Sequence, residues 1–308
     1  MIRRRVAGLL GVAAVTAAVV AAAAPAGAAE LPAPYDFTVS AVTAGINVNA
    51  DPPGANNWSC QPSAEHPEPV VLVHGTGGNK NTNWQTYAPL LHNNGYCVFA
   101  LTYGTLTDSL PLSQVGGLGP IETSAAQLAA FVDKVLAATH APKVDIVGHS
   151  QGTLMPDYYA KFLGGASKID KYVSLASLWH GTDLLGLAQL ADAGRTYGFP
   201  VDNINFGAGN EMLTGSAFMT RMRAGGVAVP GITYTNIVTK YDELVVPYTS
   251  GIEPGMTNIR VQDQCPLDFT EHVEIAADPV ASVDVLNALD PAHPRAVPCQ
   301  VVLPFAGA

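Results

Sequence analysis

Three groups of residues in this sequence could act together on a carbonyl carbon. The first is Gly148-His149-Ser150-Gln151-Gly152. Glycines two residues before and two after the serine allow a sharp, strained turn that lifts its hydroxyl clear, and a helix starting there would offer its positive dipole end to developing negative charge. A serine hydroxyl is a weak nucleophile at neutral pH, so it needs a base, and the base needs a carboxylate to orient it. With a strand–serine–helix turn of this kind the chain order is serine, acid, histidine. Three histidines follow Ser150: His180, His272 and His293. His180 comes before the usual acid position and His293 sits in a proline-flanked tail, so His272 is the expected base. Asp242 is the expected acid, with Glu243, Asp263 and Asp268 as rivals. The third group is His74-Gly75-Thr76-Gly77-Gly78. Two backbone N–H groups can stabilise an oxyanion, each worth roughly 2.7–4 kcal/mol. The residue after the nucleophile, Gln151, and Thr76 in the early glycine-rich loop are the expected donors. His74 would brace that loop.

The elements that must position these groups alternate regularly. Val70–Val73 is a short continuous apolar run, as in a strand buried on both faces. A helix is expected over Trp84–Asn93, a strand over Cys97–Leu101, and a helix over Glu122–Thr139, where Leu128, Phe131, Val132, Val135 and Leu136 recur at helical spacing. Strand Lys143–Val147, helix Gln151–Leu163, strands Tyr172–Ala176 and Ile232–Thr239, a weaker strand over Ile259–Val261 and a helix over Val280–Leu289 complete the series. Strands alternating with helices argue for an α/β fold with a mostly parallel central sheet flanked by helices. Residues 30–308 are expected to form one catalytic domain, with an irregular arm over 30–68 packed on it. Residues 182–223 interrupt the rhythm and form either a cap over the site or an ordinary crossover; Leu184, Leu185, Leu187, Leu190, Phe199 and Phe206 fall in it. Trp84, Tyr87, Met155, Trp179 and Phe206 are candidates to line an acyl groove, with plain core packing as the alternative for each.

Of the 308 residues, 48% are hydrophobic and only 13% charged, which favours a sizeable core and argues against disorder. Arg3-Arg4-Arg5, an apolar run to Ala24 and a small-residue exit near Ala26–Ala29 read as a signal peptide over 1–29, hence a secreted protein without a stable membrane anchor. The formal net charge is −10, and loss of three arginines with the leader makes it more acidic, so there is no electrostatic footprint for nucleic acid. Cys60, Cys97, Cys265 and Cys299 are an even set in an exported chain, which suggests two disulfides. Three pairings exist; Cys60–Cys97 with Cys265–Cys299 is the expected one, each closing one end of the chain. No C-x-x-C spacing suggests a metal site. A monomer is expected.

With these motifs in view, the sequence resembles the secreted class 2 lipases of actinobacteria, a branch of the α/β-hydrolases. The likeness rests on Trp58-Ser59-Cys60, Pro69–Gly78 (PVVLVHGTGG), Trp84–Gly104 (ending NGYCVFALTYG), Val144–Gly152 (VDIVGHSQG), Lys240–Tyr248 (KYDELVVPY) and Gln262–Cys265. It implies Ser150, Asp242 and His272 as the triad, Thr76 and Gln151 as oxyanion donors, a lipid or other ester as substrate, and no cofactor. Two departures, Thr153 after the serine motif and Gly207-Ala208-Gly209 in place of a cysteine pair, bear on the cap and the acyl pocket. A polyester hydrolase, an extracellular acyltransferase and a non-catalytic binding module are the alternatives.

Overall fold

The computed structural model describes residues 29–47, 49–183 and 207–308. Nearly all of the expected leader and the middle of the expected cap, including the six apolar residues from Leu184 to Phe206, lie outside them.

Six parallel strands form one sheet: β1 (Val70–Val73), β2 (Val98–Leu101), β3 (Val144–His149), β4 (Ile169–Leu175), β5 (Thr233–Val238) and β6 (Thr257–Arg260), in spatial order 2-1-3-4-5-6. Every residue of β1, β2 and β3 is buried, which is why β1 and β2 read as unbroken apolar runs, while β3 also buries Asp145 and His149. Successive side chains go to opposite faces. Val71, Val73, Phe99, Leu101, Val144 and Ile146 join one core with Ile121, Leu128, Val132 and Val135 of α3 (Ile121–Thr139) and Leu154, Met155 and Tyr159 of α4 (Gln151–Phe162). Val70, Leu72, Val98, Ala100 and Val147 join the other, with Tyr87, Ala88 and Leu91 from the segment that ends the first sheet crossover and Val280, Val285 and Leu289 near the C-terminus. The result is the expected helix–sheet–helix sandwich.

The arm over 30–68 is not irregular throughout. It contains α1 (Phe37–Gly45), capped by Asp36, whose carboxylate accepts a hydrogen bond from Val39 N at 2.9 Å. The side-chain cap supplies the start signal that periodicity did not show. The helix expected from Trp84 is shorter, α2 (Tyr87–Asn93). Pro89 lacks an N–H and is tolerated only in a first turn, which places the start close before it. Beyond β4 come α5 (Gly207–Glu211) and α6 (Ala217–Arg223). The last strand ends at Arg260, and Val261 opens the short α7 (Val261–Gln264) before α8 (Pro279–Leu289).

Both expected disulfides are present. Cys60–Cys97 fixes the arm to the start of β2, and Cys265–Cys299 fixes the C-terminal tail beside the loop that follows α7. No helix among the described residues is long and apolar enough to cross a membrane.

Candidate active site

Strand order reverses at β1: β2 lies on one side of it and β3 on the other. In open parallel sheets such a reversal leaves a crevice beyond the carboxyl ends of the strands. The loop after β1 and the turn after β3 meet there, with Val73 and Gly148 paired in register.

Ser150 sits between β3 and α4 with φ +55° and ψ −124°, a conformation that costs a non-glycine residue energy and is held only by its surroundings. Those surroundings are tight. A Cβ on Gly148 would lie 2.0 Å from the Gly152 carbonyl oxygen, and one on Gly152 would lie 2.1 Å from that of Val73. The two glycines are thus required by contact with backbone. Ser150 N donates to Leu175 O at 2.9 Å, and Thr153 N to Ser150 O at 2.8 Å.

The structure brings the three residues of the expected relay together. Ser150 Oγ is 2.8 Å from His272 Nε2, and His272 Nδ1 is 2.8 and 2.9 Å from the two oxygens of Asp242. The Asp242 side chain is almost wholly buried, and its Oδ1 also accepts from Leu244 N at 3.0 Å and Val245 N at 2.7 Å. Glu243 Oε2 accepts from His272 N at 3.3 Å. Burial works against an imidazolium at His272, but the Asp242 carboxylate, helped by Glu243 and Glu271, more than offsets it and raises the pKa above the usual 6.5.

The other rival residues are engaged elsewhere. Asp268 accepts from Thr270 N at 2.8 Å, and Asp263 pairs with Lys240 and Arg260 at the surface. His180 lies 2.9 Å from Glu253, and exposed His293 lies 3.0 Å from Asp290.

The glycine-rich loop after β1 packs directly on the serine turn: a Cβ on Gly75 would come 3.1 Å from Ser150 Cβ. The backbone N–H groups of Thr76 and Gln151 make no hydrogen bond within the described residues and are free to donate. His74 is buried, its pKa lowered by burial to about 4. The neutral ring donates from Nδ1 to Gly75 O at 2.8 Å, accepts at Nε2 from Tyr103 N at 3.3 Å, and stacks on Tyr103. It braces the loop from behind.

A second brace went unread in the sequence. Gly77 N donates to Gly116 O at 2.9 Å and Gly116 N to Gly78 O at 2.8 Å, so the chain at 116–117 pairs with the loop as a small backbone ladder. A Cβ on Gly116 would lie 2.6 Å from His74 Cε1, and one on Gly117 2.8 Å from Gln151 Oε1. Three glycines within Gly116-Gly117-Leu118-Gly119 are a signal of close backbone approach that could have marked this segment. The expected groove residues resolve as core: Met155 and Trp179 are buried on one side of the sheet, Trp84 and Tyr87 on the other. Phe206 lies outside the described residues.

Among the described residues no group of histidine, cysteine and carboxylate side chains has the arrangement of a metal site. The family model described as lipase (class 2) matches residues 67–283. A triacylglycerol lipase of Pseudarthrobacter phenanthrenivorans is 39% identical over 98 residues, 30% of this chain and 28% of that protein. The shared stretch is thus under a third of that relative's length. Lipase B of Aspergillus fumigatus superposes with a TM-score of 0.61 at 18% identity, over 80% of this chain and 57% of that one. An α/β-hydrolase from the metagenome of sediments of the Mar Chica lagoon, Morocco, superposes with a TM-score of 0.50 at 17% identity, over 74% of this chain and 90% of that one. The sheet, its flanking helices and these neighbours make the fold that of an α/β-hydrolase, and the match over 67–283 makes the chain a member of the class 2 lipase family.

Proposed function

We propose that this protein hydrolyses carboxylic esters, acyl glycerols among them, through an acyl-serine intermediate. The observation that carries the reading is the continuous hydrogen-bonded line from Ser150 Oγ through His272 to Asp242, with both links at 2.8 Å. In the first half-reaction Ser150 Oγ bonds to the ester carbonyl carbon while its proton passes to His272 Nε2. The negative charge that forms on the carbonyl oxygen is met by the N–H groups of Thr76 and Gln151. Collapse breaks the bond to the alcohol, which leaves with the proton from His272. In the second half-reaction water takes the place of the alcohol, His272 accepts its proton, and the acid departs to restore free Ser150. Asp242 fixes the ring so that Nε2 faces the serine, and stabilises the transient imidazolium. Acyl glycerols are named because the Pseudarthrobacter relative is a triacylglycerol lipase.

Export with loss of residues 1–29, and a single catalytic domain over 30–308 acting as a monomer, belong to the same reading. Two disulfides and the absence of a spanning helix among the described residues are compatible with it.

The test is covalent labelling by a fluorophosphonate together with turnover of a p-nitrophenyl ester series from short to long chains. Label should map to Ser150, and Ser150→Ala should lower kcat about 10⁶-fold. A folded Ser150→Ala variant that turns over esters at the parental rate would overturn the mechanism.

A further inference from the structure

The residue before the nucleophile is buried and lies against both the His272 loop and the oxyanion loop. His149 is buried at 3% exposure, as is Asn83. His149 Nε2 lies 2.8 Å from the backbone carbonyl of His272, and Nδ1 lies 3.1 Å from Asn83 Oδ1. Asn83 Oδ1 in turn accepts from Gly75 N, in the oxyanion loop, at 3.2 Å. The rings of His149 and His272 are 5.2 Å apart. Resting on the ester-hydrolysis reading above, we infer that His149 and Asn83 are positioning residues that hold the oxyanion loop, the serine turn and the His272 loop in one register.

The protonation of the ring fits this task. Burial, then the charge of nearby His272, lowers the His149 pKa to about 3. The ring is therefore neutral throughout turnover and adds no second cation beside the imidazolium that forms at His272. A neutral imidazole has one N–H. Given to the His272 carbonyl, it leaves Nδ1 as an acceptor. Asn83 can meet that acceptor only by turning its amide, whose Nδ2 otherwise has no partner, and in doing so it releases Gly75 N. In the described arrangement Asn83 Oδ1 serves Gly75 N and rests against His149 Nδ1 at 3.1 Å, so the oxyanion loop is held to the serine turn by contact through Asn83. There is little slack: a Cβ on Gly75 would lie 3.1 Å from Ser150 Cβ and 3.3 Å from His149 Nδ1. A displacement at His149 is passed on to both the nucleophile and the base.

The experiment begins with the unaltered chain. If it neither takes up fluorophosphonate nor turns over esters, the hydrolase reading fails, whatever the variants do. With an active parent, His149→Phe should lower kcat about 10–100-fold, the scale of a misplaced reacting group, with KM unchanged. The acidic limb of the kcat/KM profile should move to lower pH, because His272 drifts from the carboxylate that raises its pKa. His149→Gln keeps an N–H aimed at the His272 carbonyl and should recover most of the rate and return the limb. Asn83→Ala cuts only the tie to Gly75 and should lower kcat with the limb unmoved. A folded His149→Phe with parental kcat and limb overturns the inference. If that variant does not fold, the other two decide: parental kcat in Asn83→Ala, or a folded His149→Gln that still loses about 10–100-fold in kcat, overturns it.

Discussion

The two halves of the candidate site are built on different physics. The serine turn and the oxyanion loop are adjacent at the ends of two paired strands, and shape holds them. Gly148, Gly152 and Gly75 each sit where a single added carbon would meet backbone or the serine itself. The ladder at 116–117 and the neutral, stacked His74 close that half from behind. The Asp242–His272 half arrives on two loops beyond β5 and β6, and charge and side-chain hydrogen bonds hold it. Thr239 Oγ1 donates to Thr270 O at 2.6 Å, Glu271 accepts from Val273 N at 2.7 Å and Glu274 N at 3.0 Å, and the Cys265–Cys299 disulfide anchors the tail alongside. A half set by shape should fail by misfolding, and a half set by charge should fail by losing rate or by changing with pH.

The sharpest break between them is expected from Asp242→Asn. It keeps size and removes charge, and should lower kcat about 10⁴-fold. Thermal unfolding should show a folded protein; equal loss of structure and rate would mean that Asp242 acts mainly as a loop strut. Next in size is removal of a disulfide, worth about 3–4 kcal/mol for loops of this length. Denaturation of Cys265→Ser/Cys299→Ser should show that loss together with a lower kcat, because the tail lies on the His272 half. Cys60→Ser/Cys97→Ser should lose stability with kcat retained. Gly148→Ala should cost about 1–3 kcal/mol by overpacking, and labelling of Ser150 should fall with it. A Gly148→Ala protein with unaltered stability would contradict the contact with Gly152.

The smallest effects expected are those of pH, and they separate the halves again. His272 must be neutral to accept the serine proton, and its pKa is raised, so the acidic limb of kcat/KM should lie above pH 6.5. Glu274 works in the other direction. Burial, opposed by its hydrogen bond from Phe37 N and reinforced by Glu271 and Asp36, raises its pKa from 4.5 to about 8. Between those values the folded chain holds a proton that the unfolded chain has released, so this contribution is complete below pH 4.5 and is lost as pH rises toward 8. Glu274→Gln should flatten the fall of Tm over that interval, and an unchanged slope would remove Glu274 as its source.

How much of this was legible in the chain depended on the range of the interaction. Gly148-His149-Ser150-Gln151-Gly152 could be read because the strain and its relief lie within five residues. The buried strand Val70–Val73 could be read because burial on both faces leaves no alternation. The arm misled because a helix as short as Phe37–Gly45 depends on its cap and on docking against Glu274 more than on pattern. The groove residues Trp84, Tyr87, Met155 and Trp179 could not be assigned, since large apolar side chains look the same whether they line a cavity or fill a core.

The sequence by itself determined the sheet, the serine turn and the short set of histidines and carboxylates from which a relay could be drawn, because each follows from local sterics, apolar burial or chain order. Tertiary structure alone decided which of those groups meet. It placed His272 and Asp242, 122 and 92 residues beyond the serine in the chain, in line with Ser150, and it seated Asn83, His149 and Gly116–Gly117 behind them. A hydrogen bond acts over about 3 Å, and residues this far apart in the chain come within that range only when the strands that carry them pack side by side.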